Sequence, residues 1–187
     1  MSIFDSLKNS IPTPAASAPK AEQGSFTFTF SALPESLDEL QKLPEAALDT
    51  PYKTAALTVC ALCAYATAPE IGKEMLNFLK GPAPLSSYEI SFINDRFRDG
   101  QYVPFSNFAG ASPENGYTPS VPFTVTVFSN PYSFPEQGRA TLHLSSGGAD
   151  SPRQIKLRFK PSDGRWYLEE QMILVGIRPP KSSDPWA

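Results

Sequence analysis

The sequence predicts an α+β fold: a largely antiparallel sheet of about five strands packed against three to four helices. Three observations lead there. Residues 121–177 read as successive stretches of period-two alternation, the pattern of strands with one buried face. Residues 36–100 carry helix-start signals and helical apolar spacing instead. The helical block precedes most of the strands, and the links between strands are short. That order suits a meander beside a helical layer better than alternating βαβ units.

At 187 residues and 41% hydrophobic content, the chain has enough apolar material for one domain with a substantial core. The division expected from composition is a flexible N-terminal peptide and linker (1–24), a single α+β domain (25–178) and an extended tail (179–187). A net charge of −3 argues against general nucleic-acid binding, which needs a basic excess. The 20 prolines are about twice the usual share, and they cluster in the linker, before helices and in loops, as punctuation.

Each element has its own local reason. Ile3, Phe4, Leu7 and Ile11 fall along one side of a short amphipathic helix that is too short to stand alone in water. It reads either as a frayed terminus or as a docking helix, through residues 1–11, for a partner, a membrane surface or a shell protein, tethered by the Pro-, Ala- and Ser-rich stretch 12–24. Residues 25–31 alternate Phe26, Phe28 and Phe30 with Thr27 and Thr29, a strand that needs partners from the C-terminal third.

Ser36 with Glu39 forms a capping box that opens a short helix to about residue 42, and Pro44 opens a further helical turn. Thr50-Pro51 starts the main helix, 51–66, which is apolar nearly all round and therefore central. Pro69 opens the next helix, which presents Ile71, Met75, Leu76, Phe78 and Leu79 and stops at Gly81-Pro82. Ser86 with Glu89 is a second capping box, and its helix ends near Gly100.

Residues 101–120 form a long loop rich in Pro and Gly that also carries Tyr102, Phe105, Phe108 and Tyr117. Two readings stand, a binding loop or an aromatic cover over the core edge. Strands follow at 122–129, 139–145 and 153–160, and the turn Pro161-Ser162-Asp163-Gly164 returns the chain through 165–170. Residues 171–177 extend that strand after a bulge or add another.

No catalytic set emerges. Cys60 and Cys63 sit mid-helix in apolar company, as core residues rather than as a redox pair or half a zinc site, and His143 is the sole histidine. No nucleophile elbow accompanies it. Ser145 to Asp150 resembles a phosphate loop only in its glycines, and the stretch Asn94 to Asp99 carries Phe97 and two arginines that oppose a calcium site. No catalytic residue, metal ligand or cofactor is therefore assigned.

The best surface candidate is the basic row Lys156, Arg158 and Lys160, with Arg153 and Arg165 near it. It is either a solvated strand face that discourages edge pairing or a surface for an anionic partner. The aromatic residues fall on the opposite face of that strand, which argues against RNA. Glu169 and Glu170 are placed to pair with the row across the strands.

The stretch Phe159-Lys160-Pro161-Ser162-Asp163-Gly164-Arg165-Trp166-Tyr167-Leu168-Glu169-Glu170 resembles the final hairpin of NTF2-like bacterial domains, although the Phe26-Phe28-Phe30 strand ahead of the helices departs from that pattern. That resemblance implies a cone-shaped fold with a pocket between sheet and helices. More broadly, the stretch from Leu33 to Ala64, which opens Leu-Pro-Glu-Ser-Leu-Asp-Glu-Leu, together with the terminal Pro-Pro-Lys-Ser-Ser-Asp-Pro-Trp, resembles an uncharacterised family of small Firmicutes proteins, a domain of unknown function. That resemblance implies no activity and no site residues.

The functional expectation is a non-enzymatic binding or protein-interaction module with an unknown protein partner. A small-molecule pocket with catalytic capacity is the alternative. No stretch is long and apolar enough to span a bilayer and no secretory signal is visible, so the expected location is the cytoplasm.

Overall fold

The computed structural model describes residues 17–98 and 100–186; the docking helix expected at residues 1–11 lies outside the described residues. In chain order the elements are β1 (Ser25–Phe30), α1 (Leu37–Lys42), α2 (Pro51–Thr67), α3 (Pro69–Lys80), α4 (Ser87–Phe97), β2 (Phe123–Phe128), β3 (Arg139–Leu144), β4 (Arg153–Lys160) and β5 (Arg165–Gln171). The five strands form one antiparallel sheet in sequence order, with β1 and β5 at its edges. All four helices intervene between β1 and β2, which nonetheless pair from Ser25↔Phe128 to Phe30↔Phe123.

Helix α2 organises the core. Thr50 caps it by accepting from the Lys53 amide at 3.3 Å, and Pro51 supplies the first-turn φ without needing a donor. Apart from Lys53, every residue from Pro51 to Ala66 is buried. Small residues permit this. The Thr54 and Thr58 hydroxyls avoid the cost of burial by donating to the Trp166 carbonyl at 2.7 Å and the Thr54 carbonyl at 2.8 Å. Helix α3 crosses α2 so closely that a Cβ on Gly72 would lie 2.2 Å from the Tyr65 Cα, so only glycine fits there.

The sheet's inner face meets α2 through Phe26, Phe28 and Phe30 on β1, Val125 and Val127 on β2, Leu142 and Leu144 on β3, Ile155, Leu157 and Phe159 on β4, and Trp166 and Leu168 on β5. The outer face carries the alternate residues. Thr27 and Thr126 share a hydrogen bond of 3.0 Å across β1 and β2, and charged side chains dominate β3 to β5.

Two expectations change. The stretch 171–177 adds no strand: β5 ends at Gln171, and the chain turns to bury Ile173 and Leu174. Arg153 holds that turn, its Nε donating to the Val175 carbonyl at 2.6 Å and its guanidinium to the Gly176 carbonyl at 3.1 Å. The irregularity lies earlier, where Lys156 pairs with Glu170 and Leu157 with Leu168. Residues 18–23, expected in the linker, lie along the domain: the Tyr52 hydroxyl donates to the Glu22 carbonyl at 2.7 Å and the Gln137 amide to the Ala18 carbonyl at 3.1 Å. A short 3-10 turn, Lys181–Ser183, interrupts the C-terminal tail.

Candidate functional site

The helices cover one face of the sheet, so the chemistry available to a partner concentrates on the other. There Lys156, Arg158 and Lys160 project from β4, between Thr141 and Arg139 on β3 and Glu170, Tyr167 and Arg165 on β5. Most of this charge is matched. Lys156 pairs with Glu170 at 2.5 Å, Lys160 pairs with Asp163 at 2.9 Å, and Arg139 pairs with both Glu136 and Glu169. These pairs are half-exposed, so solvent screens them and they add little to stability.

Arg158 and Arg165 are the exceptions: both are exposed, and no ion pair holds either among the described residues. Arg158 lies directly across from Arg139. Arg153 has the opposite parity and is spent on the turn after β5, so the structure does not bring it into the row. Arg165 is exposed at the start of β5, opposite Lys160.

Beside the row lies a charged groove of about 630 Å³, bounded by Ser86, Tyr88 and Glu89 of the α4 entry on one side and by Arg139, Lys156 and Glu170 on the other. Its wall is locked by Lys80, a 6% exposed ammonium that pairs with Glu89 at 2.5 Å and donates to the Glu169 carbonyl at 3.2 Å. Burial alone would raise the Glu89 carboxyl. The hydrogen bonds from Lys80 and from the Ser86 hydroxyl and amide outweigh it and hold that carboxyl below its usual range. The Ser86–Glu89 capping box is visible in the sequence, but its role in this wall is not. A lysine ending a helix reads as a partner for the helix dipole, and nothing local signals that it is buried.

The aromatic loop is pulled inward. Tyr102 and Tyr117 stack with centroids 5.0 Å apart, the Tyr117 hydroxyl donates to the Arg178 carbonyl at 2.6 Å, and Phe108 packs edge-on against Phe123. Phe108 and Tyr117 are each 2% exposed. Phe105 remains half-exposed on the rim of an apolar groove of about 550 Å³, with Leu33, Ala64, Ile71 and Phe123 among its walls. The four loop residues and the basic row therefore form no common site.

His143 lies on the outer face against Phe128, with ring centroids 5.8 Å apart. Its Nδ1 is buried without a partner among the described residues, and burial lowers its pKa despite the backbone contact with Phe128. Cys60 and Cys63 are buried in α2, and burial pushes both thiols far up, away from thiolate chemistry. No cluster of three His, Cys, Asp or Glu side chains suited to a metal occurs among the described residues. No helix among them is long and apolar enough to cross a membrane.

A family model described as Domain of unknown function (DUF6935) matches residues 32–181, a span that takes in α1–α4 and β2–β5. No curated protein and no solved structure matches the chain.

Proposed function

The chain belongs to the DUF6935 family, a domain of unknown function, and we propose that it acts as a non-enzymatic protein-interaction module through the charged outer face of its sheet. The observation that carries this reading is Arg158. It is an exposed guanidinium with no ion pair among the described residues, set between the matched Lys156 and Lys160 and across from the matched Arg139, next to an open charged groove. A guanidinium offers a planar fork suited to a carboxylate, so the fitting partner is a protein surface that brings an acidic side chain to Arg158. Steering by such a face affects association rate and specificity more than raw affinity.

The acting unit in this proposal is residues 25–178, in a bacterial cytoplasm, with residues 1–11 as a second docking element on their tether. The test is affinity purification with the wild type, Arg158→Glu and Lys156→Glu. Loss of a specific co-purifying protein in Arg158→Glu, at an unchanged melting temperature, sustains the reading. Equal recovery from all three removes it.

The apolar groove beside Phe105 favours a second reading, a small-molecule site between sheet and helices. Native mass spectrometry of the purified protein would then show a bound apolar molecule that Ala68→Trp, on the groove wall, excludes.

A further inference from the structure

The two edges of the sheet are finished differently, and the unfinished one is self-complementary. In β1 the Gly24 carbonyl accepts from the Ser129 amide at 2.9 Å, so the even-numbered residues turn their backbone groups toward β2. The odd-numbered residues Ser25, Thr27 and Thr29 turn theirs away. The same alternation shows on β2, where the Thr124 carbonyl, opposite Thr29, points away from β1 and accepts from the Ala109 amide at 2.8 Å. Among the described residues, nothing bonds the outward amides and carbonyls of Ser25, Thr27 and Thr29.

Soluble proteins usually blunt such an edge with charge, proline or a covering element. The strand Ser25–Phe30, Ser-Phe-Thr-Phe-Thr-Phe, has no charge and no proline. Its three odd-numbered side chains are exposed, and Phe26 and Phe28 are only half-buried.

We propose that β1 pairs with β1 of a second copy of this chain, antiparallel, about a two-fold axis at Thr27. Side chains on one face of an antiparallel pair must match in parity, so the axis passes through a residue and not between two. Centred on Thr27, the register places Thr27 opposite Thr27 and Ser25 opposite Thr29 of the second copy. The three outward-facing residues then exchange about six backbone hydrogen bonds, filling every free donor and acceptor on Ser25, Thr27 and Thr29.

On the core side, Phe26 meets Phe28 of the second copy, so the two half-buried rings cover each other. Phe30, already 3% exposed, falls opposite Gly24, where no side chain competes for space. On the wet side the threonine pair Thr27–Thr126 continues across the axis as an uncharged ladder. A two-fold axis brings each residue near its own copy, so like charges at its centre would repel. This strand has none, which is why a second copy fits better than a charged foreign strand. The proposal is independent of the outer-face reading above, since it engages neither Arg158 nor the charged groove.

Sedimentation and light scattering test it on the full chain. The expected result is a concentration-dependent dimer of twice the monomer mass. Thr27→Lys, which sets two ammonium groups on the axis, weakens it about tenfold or more. Thr27→Pro deletes an outward amide that β2 does not use, and weakens it likewise.

Thr27→Cys adds an accessible thiol beside the buried Cys60 and Cys63, and a short bismaleimide should join two copies through it. A wild type that stays monomeric up to millimolar chain overturns the proposal, whether residues 1–16 or a foreign strand then takes the edge. So does a dimer that both Thr27→Lys and Thr27→Pro leave intact while circular dichroism shows them folded.

Discussion

Strands β5 and β1 occupy equivalent positions at opposite edges of one sheet, and the chain treats them in opposite ways. Along β5 the Trp166 amide donates to the Leu48 carbonyl at 2.8 Å, the Trp166 carbonyl accepts from Thr54, and the Glu169 carbonyl accepts from the buried Lys80. Three separate elements, the turn before α2, α2 itself and the end of α3, thus close that edge. Along β1 no element among the described residues does so. The same secondary structure is part of the sealed core at one edge and offers an unused hydrogen-bonding template at the other. What differs is where the helices were placed, not the strands' own propensity for pairing.

Four substitutions probe that difference, in order of expected effect. Trp166→Ala empties the core beneath the closed edge and should cost about 3–5 kcal/mol in urea unfolding. Lys80→Met leaves Glu89 without its cation and the Glu169 carbonyl without its donor. Because Glu89 is about a third exposed, the cost should be about 2 kcal/mol, below that of a fully buried pair.

Lys80→Met also carries a pH signature. The Glu89 carboxyl is held down in the folded state, so the folded protein binds that proton less readily than the unfolded chain. Its contribution is complete above the unfolded carboxylate value of about 4.3 and is lost as pH falls through the lower folded value. Acid titration of stability should lose this component in Lys80→Met, and an unchanged profile would show that the pair does not close the edge.

Thr54→Val orphans one side of the Trp166 carbonyl and should cost about 1–2 kcal/mol, with faster hydrogen exchange along β5. Thr27→Lys, at the open edge, should change the stability of dilute protein by less than about 0.5 kcal/mol. A cost near that of Thr54→Val would mean that β1 is as closed as β5.

Much of this fold was legible in the sequence. The period-two runs located all five strands to within a residue or so at their ends, and Thr50-Pro51 with an apolar circumference marked α2 as the central helix. Those features are local, and local sequence encodes them. The pairing of β1 with β2 was readable only as a need, because the partners stand about a hundred residues apart and any of the later strands has suitable alternation.

The site was less legible than the fold. Arg153 and Arg158 are the same residue type on one strand, yet parity sends Arg153 to the turn at Val175 and leaves Arg158 in solvent. Tyr117 reads as readily as a ligand contact as it does a core residue. Its fate depends on Tyr102, the Arg178 carbonyl and Gly148, where a Cβ would meet the Tyr117 hydroxyl at 2.3 Å.

The insertion of the helices between β1 and β2 also sets a timetable. On a ribosome, Ser25–Phe30 emerges first, yet its neighbour Phe123–Phe128 follows on the order of ten seconds later at ordinary elongation rates. Throughout that interval an uncharged Phe/Thr strand has no neighbour on either side, while the helices that will bury its rings assemble without a sheet to lie on. Nascent chains stalled before residue 123 should therefore be the species most in need of chaperones, and the most prone to join one another through the same six residues.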